Sequence, residues 1–73
     1  MNIYNSSRTI NNVHFSNREY EIISMVEKGL SYKQIGIFMN ISPRTVESHI
    51  KNIMLKIGCK SRHDICIFVE KYN

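Results

Sequence analysis

Between Ser31 and Gly58 the apolar positions recur at helical spacing in two blocks, and the rest of the chain is arranged around them. In the longer block Val46, Ile50, Ile53 and Ile57 follow spacings of four, three and four, the stripe that one face of an α-helix buries. Met54 borders this stripe. Ser42-Pro43 opens the block with a capping serine and a proline at a position that needs no N–H, and Gly58 closes it, which predicts a helix over 43–57. The shorter block, Tyr32–Met39, turns Ile35 and Met39 inward and starts with Ser31 and Gln34 in a capping box. Between the blocks Asn40 suits the left-handed conformation of a helix end, and Ile41 is an apolar plug. Gly36 costs about 1 kcal/mol inside a helix. A residue that small makes sense where another helix crosses closely, as in a helix-turn-helix with its crossing of about 90–120°.

The flanks add two more helices. Ser16 and Glu19 form a capping box, with Phe15 and Tyr20 placed for a hydrophobic staple. Ile22, Ile23, Met25 and Val26 then face a core, and Gly29 ends the helix. After the loop Cys59-Lys60-Ser61, a last helix begins at Ser61 or Arg62 and reaches about Lys71. Its run Ile65, Cys66, Ile67, Phe68, Val69 is more than one face can bury in so small a monomer, so Ile65, Ile67, Phe68 and Val69 are expected at a homodimer interface. Residues 1–14 show neither period and read as a flexible N-terminal arm ahead of a domain over 15–73. The expectation is an all-α, four-helix domain. Ile37, Phe38 and Leu55 fall where the period predicts at least partial exposure, a hint of a protein partner.

Length and composition narrow the function. A chain of 73 residues is one small domain, and 42% hydrophobic residues exclude a disordered one. No apolar run approaches the roughly 18 residues of a membrane span, and the N-terminus lacks signal-peptide character, so the expected location is the cytoplasm with no membrane partner. Cys59 and Cys66 stand seven apart and His14, His49 and His63 are scattered, which suits reduced thiols and not a metal or cofactor site. Catalysis lacks its parts. Ser48 and His49 are neighbours that point about 100° apart on a helix, and Glu19 and Glu21 favour a helix dipole. No glycine-rich phosphate loop or small-molecule site is evident, so the chain reads as no enzyme.

Charge adds a direction. The formal net charge is +4, and from Lys28 to Arg62 there are seven basic residues against one acid, Glu47. This is either the footprint of a phosphate-binding surface or a solvated basic face. A reading helix in a major groove about 12 Å wide offers short polar groups near its start and longer basic ones to the rims. The 43–57 helix has that order, with Ser42, Thr45 and Ser48 short and Arg44, Glu47 and Lys51 long, and Asn52 on the same outward face. Two readings of Glu47 stand side by side: acceptor for a cytosine N4 group, or ion-pair partner of Lys51. Lys33, Lys60 and Arg62 are each ordinary surface charges taken singly, and their arrangement suggests contacts to the DNA backbone. His49 reads as a half-buried histidine beside the stripe.

At this point FSNREYEII, GLSYKQIG and ISPRTVESHIKNIMLKIGCKSR resemble the LuxR/GerE-type helix-turn-helix. The match rests on Arg18, Glu19, Glu21, Gly29, Ser31, Lys33, Ile35, Ile41, Ser42, Thr45, Val46, His49, Ile53, Lys56, Ser61 and Arg62, and covers about residues 15–70. The resemblance implies a four-helix DNA-binding domain of a bacterial transcriptional regulator, with the third helix in the major groove and the fourth forming a two-fold dimer. By position, Glu47, Ser48 and Lys51 would face bases, while Lys33, Arg44 and Thr45 would meet phosphates. Phe15 and Ser16 stand for the family's Leu and Thr, Gly36 for Ala, and Ile57 for Leu. Because only fourteen residues precede the match, the chain resembles short stand-alone GerE-like members, controlled by their abundance or by a partner. Rival readings are a protein-interaction module acting on another regulator or RNA polymerase, and the DNA-contacting part of a sigma factor, whose polymerase-binding regions are missing here.

Overall fold

Three serines set the starts of three helices. Ser16, Ser31 and Ser42 hold extended backbone, and each hydroxyl accepts from the N–H three residues on, of Glu19, Gln34 and Thr45, at 3.1 Å. Each thereby satisfies an N–H that the helix itself leaves without a partner. Glu19 and Gln34 accept in return from the serine N–H at 2.8 Å, completing both capping boxes. The structure, a computed structural model, describes residues 8–72. In chain order these form strands β1 (Arg8–Ile10) and β2 (Val13–Phe15) and helices α1 (Asn17–Glu27), α2 (Tyr32–Met39), α3 (Pro43–Ile57) and α4 (Arg62–Tyr72). The α1 end is a Schellman turn, with Leu30 N–H on the Met25 carbonyl and Gly29 N–H on that of Val26.

The four helices and the turn between α2 and α3 agree with the sequence reading; the start of the chain does not. Where an arm was expected through His14, β1 and β2 pair antiparallel, with Ile10 opposite Val13 and Arg8 opposite Phe15. Asn11 and Asn12 make the two-residue turn, both at positive φ (48° and 67°), as a tight hairpin turn demands. Alternation then works on three-residue strands. Ile10 and Phe15 go into the core, while Thr9 and His14 face out and lie 3.3 Å apart. The arm expected over 1–7, and Asn73, lie outside the described residues.

The core is one cluster. Ile22, Ile23, Met25 and Val26 of α1 meet Ile35 of α2, Val46, Ile50 and Ile53 of α3, and Ile65 and Val69 of α4, with Ile10 and Phe15 closing it from the hairpin. α3 is the central element, packed on α1, α2, α4 and β2. Ile57, expected in the buried stripe, is only half-buried at its end. Ile65 and Val69 correct the dimer expectation. They stand four apart on α4, on the face that joins this core, and are not available to a partner.

Two contacts fix α3. The first is the close approach at Gly36. A Cβ there would lie 2.6 Å from the Ile41 carbonyl oxygen and 3.3 Å from Pro43 N, so the crossing neighbour is the backbone of the turn itself. The Ile41 N–H also donates to the Gly36 carbonyl at 2.9 Å. Where the family pattern has alanine, this chain draws its turn in closer than a methyl group allows. The second contact joins Lys56 near the end of α3 to Glu19 at the start of α1, Nζ to Oε1 at 2.6 Å, and Lys56 also donates to the His14 carbonyl at 3.2 Å. One lysine thus ties α3 to the α1 cap and to β2. Burial works against the Glu19 charge, but the bond from Lys56, the bond from the Ser16 N–H and the lysine charge outweigh it. Its carboxyl is held below its ordinary value of 4.5.

Gly36→Val is expected to destabilise the chain by about 1–3 kcal/mol, since rigid backbone must move to admit the side chain; thermal unfolding followed by circular dichroism checks this. Lys56→Ala leaves Glu19 with its capping bonds only and is expected to cost about 1–3 kcal/mol, limited by the partial exposure of the lysine. Because the folded carboxyl titrates below its ordinary value, its contribution is present above that value and is lost as pH falls through the folded one. Urea unfolding between pH 6 and the acid range should therefore show a steeper loss of stability on acidification in the natural chain than in Lys56→Ala. Equal slopes would remove this role of the ion pair.

Candidate nucleic-acid interface

α3 divides its residues cleanly. Val46, Ile50 and Ile53 are buried, and Arg44, Thr45, Glu47, Ser48, Lys51 and Asn52 are all exposed. His49 sits half-buried at the margin. The N-terminal turn that begins this polar face is locally braced. Besides the cap, the hydroxyls of Ser42 and Thr45 lie 2.9 Å apart. Lys33 of α2 lines one surface hollow with Gly36, Ile37, Asn40, Ile41, Ser42 and Pro43. The tight turn therefore places the lysine beside the start of α3, and Lys33 and Arg44 have no ion-pair partner among the described residues.

Glu47 and Lys51 are 3.8 Å apart, Oε1 to Nζ, with side chains 49% and 67% exposed. This is a long, solvent-screened pair of the helical four-residue spacing, contributing about 0.2–0.5 kcal/mol. Both head groups are free to turn outward, so the contact is compatible with either sequence reading of Glu47.

The structure separates the remaining expected contacts from this face. Lys60 is exposed in the α3–α4 connection, beyond the far end of α3, about 22 Å along the helix from its start. Arg62 is half-buried and occupied within the fold. Its guanidinium donates to the Leu30 carbonyl and lies 5.2 Å from the centre of the Tyr32 ring. It fastens α4 to the α1–α2 connection. Sequence reasoning missed this role and the Lys56–Glu19 pair because both join residues more than thirty positions apart. The basic residues that stay outward were legible only as a charge excess.

On α4, Ile67 (48%) and Tyr72 (45%) remain exposed, with Phe68 half-buried between the Tyr72 ring at 5.1 Å and the Phe15 ring at 6.3 Å. Tyr72 was not among the expected interface residues; it extends the outward face by one turn beyond Phe68. Ile37, Phe38 and Leu55 are exposed, and the first two border different hollows. Ile37 borders the Lys33 hollow, whereas Phe38 borders a groove between α1 and α2 with Tyr20, Met25 and Leu30. Cys59 and Cys66 are free thiols, pushed up by burial and by nearby Asp64 and by Glu27 and Glu70, respectively. Among the described residues no group of three or more metal-ligating side chains occurs, and no helix is long and apolar enough to cross a membrane.

Known proteins share part of this sequence. The chain is similar to the y4qH protein of Sinorhizobium fredii, 49% identical over 45 residues (62% of this chain, 14% of the relative). It is 42% identical over 45 residues (62% of this chain, 21% of the relative) to the nitrate/nitrite response regulator protein NarP of Escherichia coli. It is 38% identical over 56 residues (77% of this chain, 26% of the relative) to the oxygen regulatory protein NreC of Staphylococcus aureus. The chain thus spans about a quarter or less of the length of these relatives. Residues 13–69, covering all four helices but the last turn of α4, match the GerE family described as bacterial regulatory proteins, luxR family. The chain belongs to the luxR family of bacterial regulatory proteins, as a GerE-type helix-turn-helix domain.

Proposed function

We propose that this chain is a sequence-reading, DNA-binding transcriptional regulator of the cytoplasm that lays α3 in the major groove of double-stranded DNA. The observation that carries the reading is the two-sided α3, with one face locked into the core and the other a fully exposed polar face starting at the helix N-terminus. Glu47, Ser48 and Lys51 face bases. Lys33, Arg44 and Thr45 meet phosphates on the rims, and Asn52 lies at the edge of the contact. Arg62 supports this surface from behind by holding the connection into α2.

Few unpaired cations stand on the α3 face of one copy, because Lys56 is paired with Glu19 and Lys51 is paired in part. Phosphate attraction scales with the number of charges that displace counterions, so a single copy binds weakly. A homodimer through the Ile67, Phe68 and Tyr72 face of α4 doubles the contacts and fixes the half-site spacing. A second reading, a module docking another regulator or RNA polymerase, is favoured by Phe38, which stands 76% exposed beside the α1–α2 groove.

Binding of the purified chain to random and to enriched duplexes at two salt concentrations separates these. Lys51→Ala is expected to weaken binding to the enriched duplex by about tenfold and to random DNA much less, and Lys33→Ala to weaken both alike while reducing the salt slope by about one. Weak binding, equal on all sequences and indifferent to Lys51→Ala, would instead favour the docking module. Ile67→Lys is expected to leave the fold intact while abolishing dimerisation in sedimentation runs and weakening operator binding. An unchanged sedimentation profile would move the interface off α4.

A further inference from the structure

Glu47 is the one acid of α3, and it stands within 3.8 Å of the cation Lys51 on the outward face. A carboxylate only accepts hydrogen bonds and an ammonium only donates them. Side by side, with both head groups reaching solvent, they form an acceptor–donor template one helical turn long. Their mutual contact is longer than a hydrogen bond and costs little to exchange for better partners.

In the major groove a C·G base pair offers the complement. Cytosine N4 is a donor, and next to it guanine presents two acceptors, O6 and N7. An A·T pair places its acceptors on either side of the adenine N6 donor and adds the thymine methyl, so an ammonium beside the carboxylate meets one acceptor instead of two. We propose that Glu47 and Lys51 read a single C·G base pair as a unit, Glu47 accepting from cytosine N4 and Lys51 donating to guanine O6 and N7. Glu47 enforces the choice. Where thymine O4 replaces cytosine N4, acceptor faces acceptor, and the carboxylate is brought near phosphates with no donor from the base. Glu47 therefore lowers affinity for most duplexes and spares those with the right pair. The proposal rests on the insertion of α3 in the groove given above.

The test is selection from a randomised duplex pool by the natural chain and by Glu47→Ala, followed by titration of single-pair replacements. Glu47 is about half exposed, so Glu47→Ala is expected to fold, which circular dichroism verifies. The natural chain should enrich duplexes with an invariant C·G pair whose replacement by T·A weakens binding about 5- to 150-fold. In Glu47→Ala that ratio should fall to within about twofold, with the T·A duplex bound more tightly than by the natural chain. Replacing the cytosine by 2-pyrimidinone, which lacks only the 4-amino group, should weaken the natural chain and not Glu47→Ala. An enriched sequence whose preferences survive Glu47→Ala unchanged at every position overturns this proposal alone. If the natural chain enriches no sequence and Lys51→Ala changes nothing, insertion of α3 in the groove falls as well, and this proposal with it.

Discussion

The direction in which α3 leaves the turn depends on a methyl group that is absent. At Gly36 helix backbone lies against turn backbone, and a Cβ would intrude to 2.6 Å of the Ile41 carbonyl. Side chains can yield to a neighbour by changing rotamer, but a carbonyl held between two helices has no such freedom. Main-chain contact at Gly36 therefore limits the angle between α2 and α3, beside the core packing of Ile35 and Val46. Lys33 and the first turn of α3 then face one common hollow. The Glu19–Lys56 bridge holds the other end of the same helix.

The charged residues divide by task in a way that net charge conceals. Lys56 and Arg62 hold contacts within the fold, one with Glu19 and the other with a backbone carbonyl and an aromatic face. Both belong to the basic stretch between Lys28 and Arg62 that makes the chain look like a phosphate binder. What remains outward around α3 is a modest set with one acid among it. A surface of that kind favours discrimination over raw attraction, since a misplaced carboxylate is penalised wherever its complement is missing.

Local rules made the helices legible. A serine with a return bond three residues on, a left-handed Asn40 and a four-three-four stripe each act within one or two turns, so sequence distance equals spatial distance. The α3 polar face followed from the same stripe, as the side opposite Val46, Ile50 and Ile53. Legibility failed where the decisive contacts are remote. Arg62 reads as surface charge until Leu30 and Tyr32 are known to lie beside it. In α4 the unbroken apolar run did not reveal that Ile65 and Val69, four apart, take the core and leave Ile67 outside. The hairpin escaped because three-residue strands are too short to display a period. Its one local sign was Asn11-Asn12 between two apolar flanks, residues that tolerate positive φ.

That hairpin makes the folding unit larger than the part shared with relatives. The family match begins at Val13, yet Ile10 is in the core and β1 supplies the edge that keeps β2 in register. β2 in turn holds the His14 carbonyl that receives Lys56. The hairpin is thus linked to the end of α3. Two elements far apart in the chain, hairpin and α3, are joined by a strand pairing and one long-range hydrogen bond.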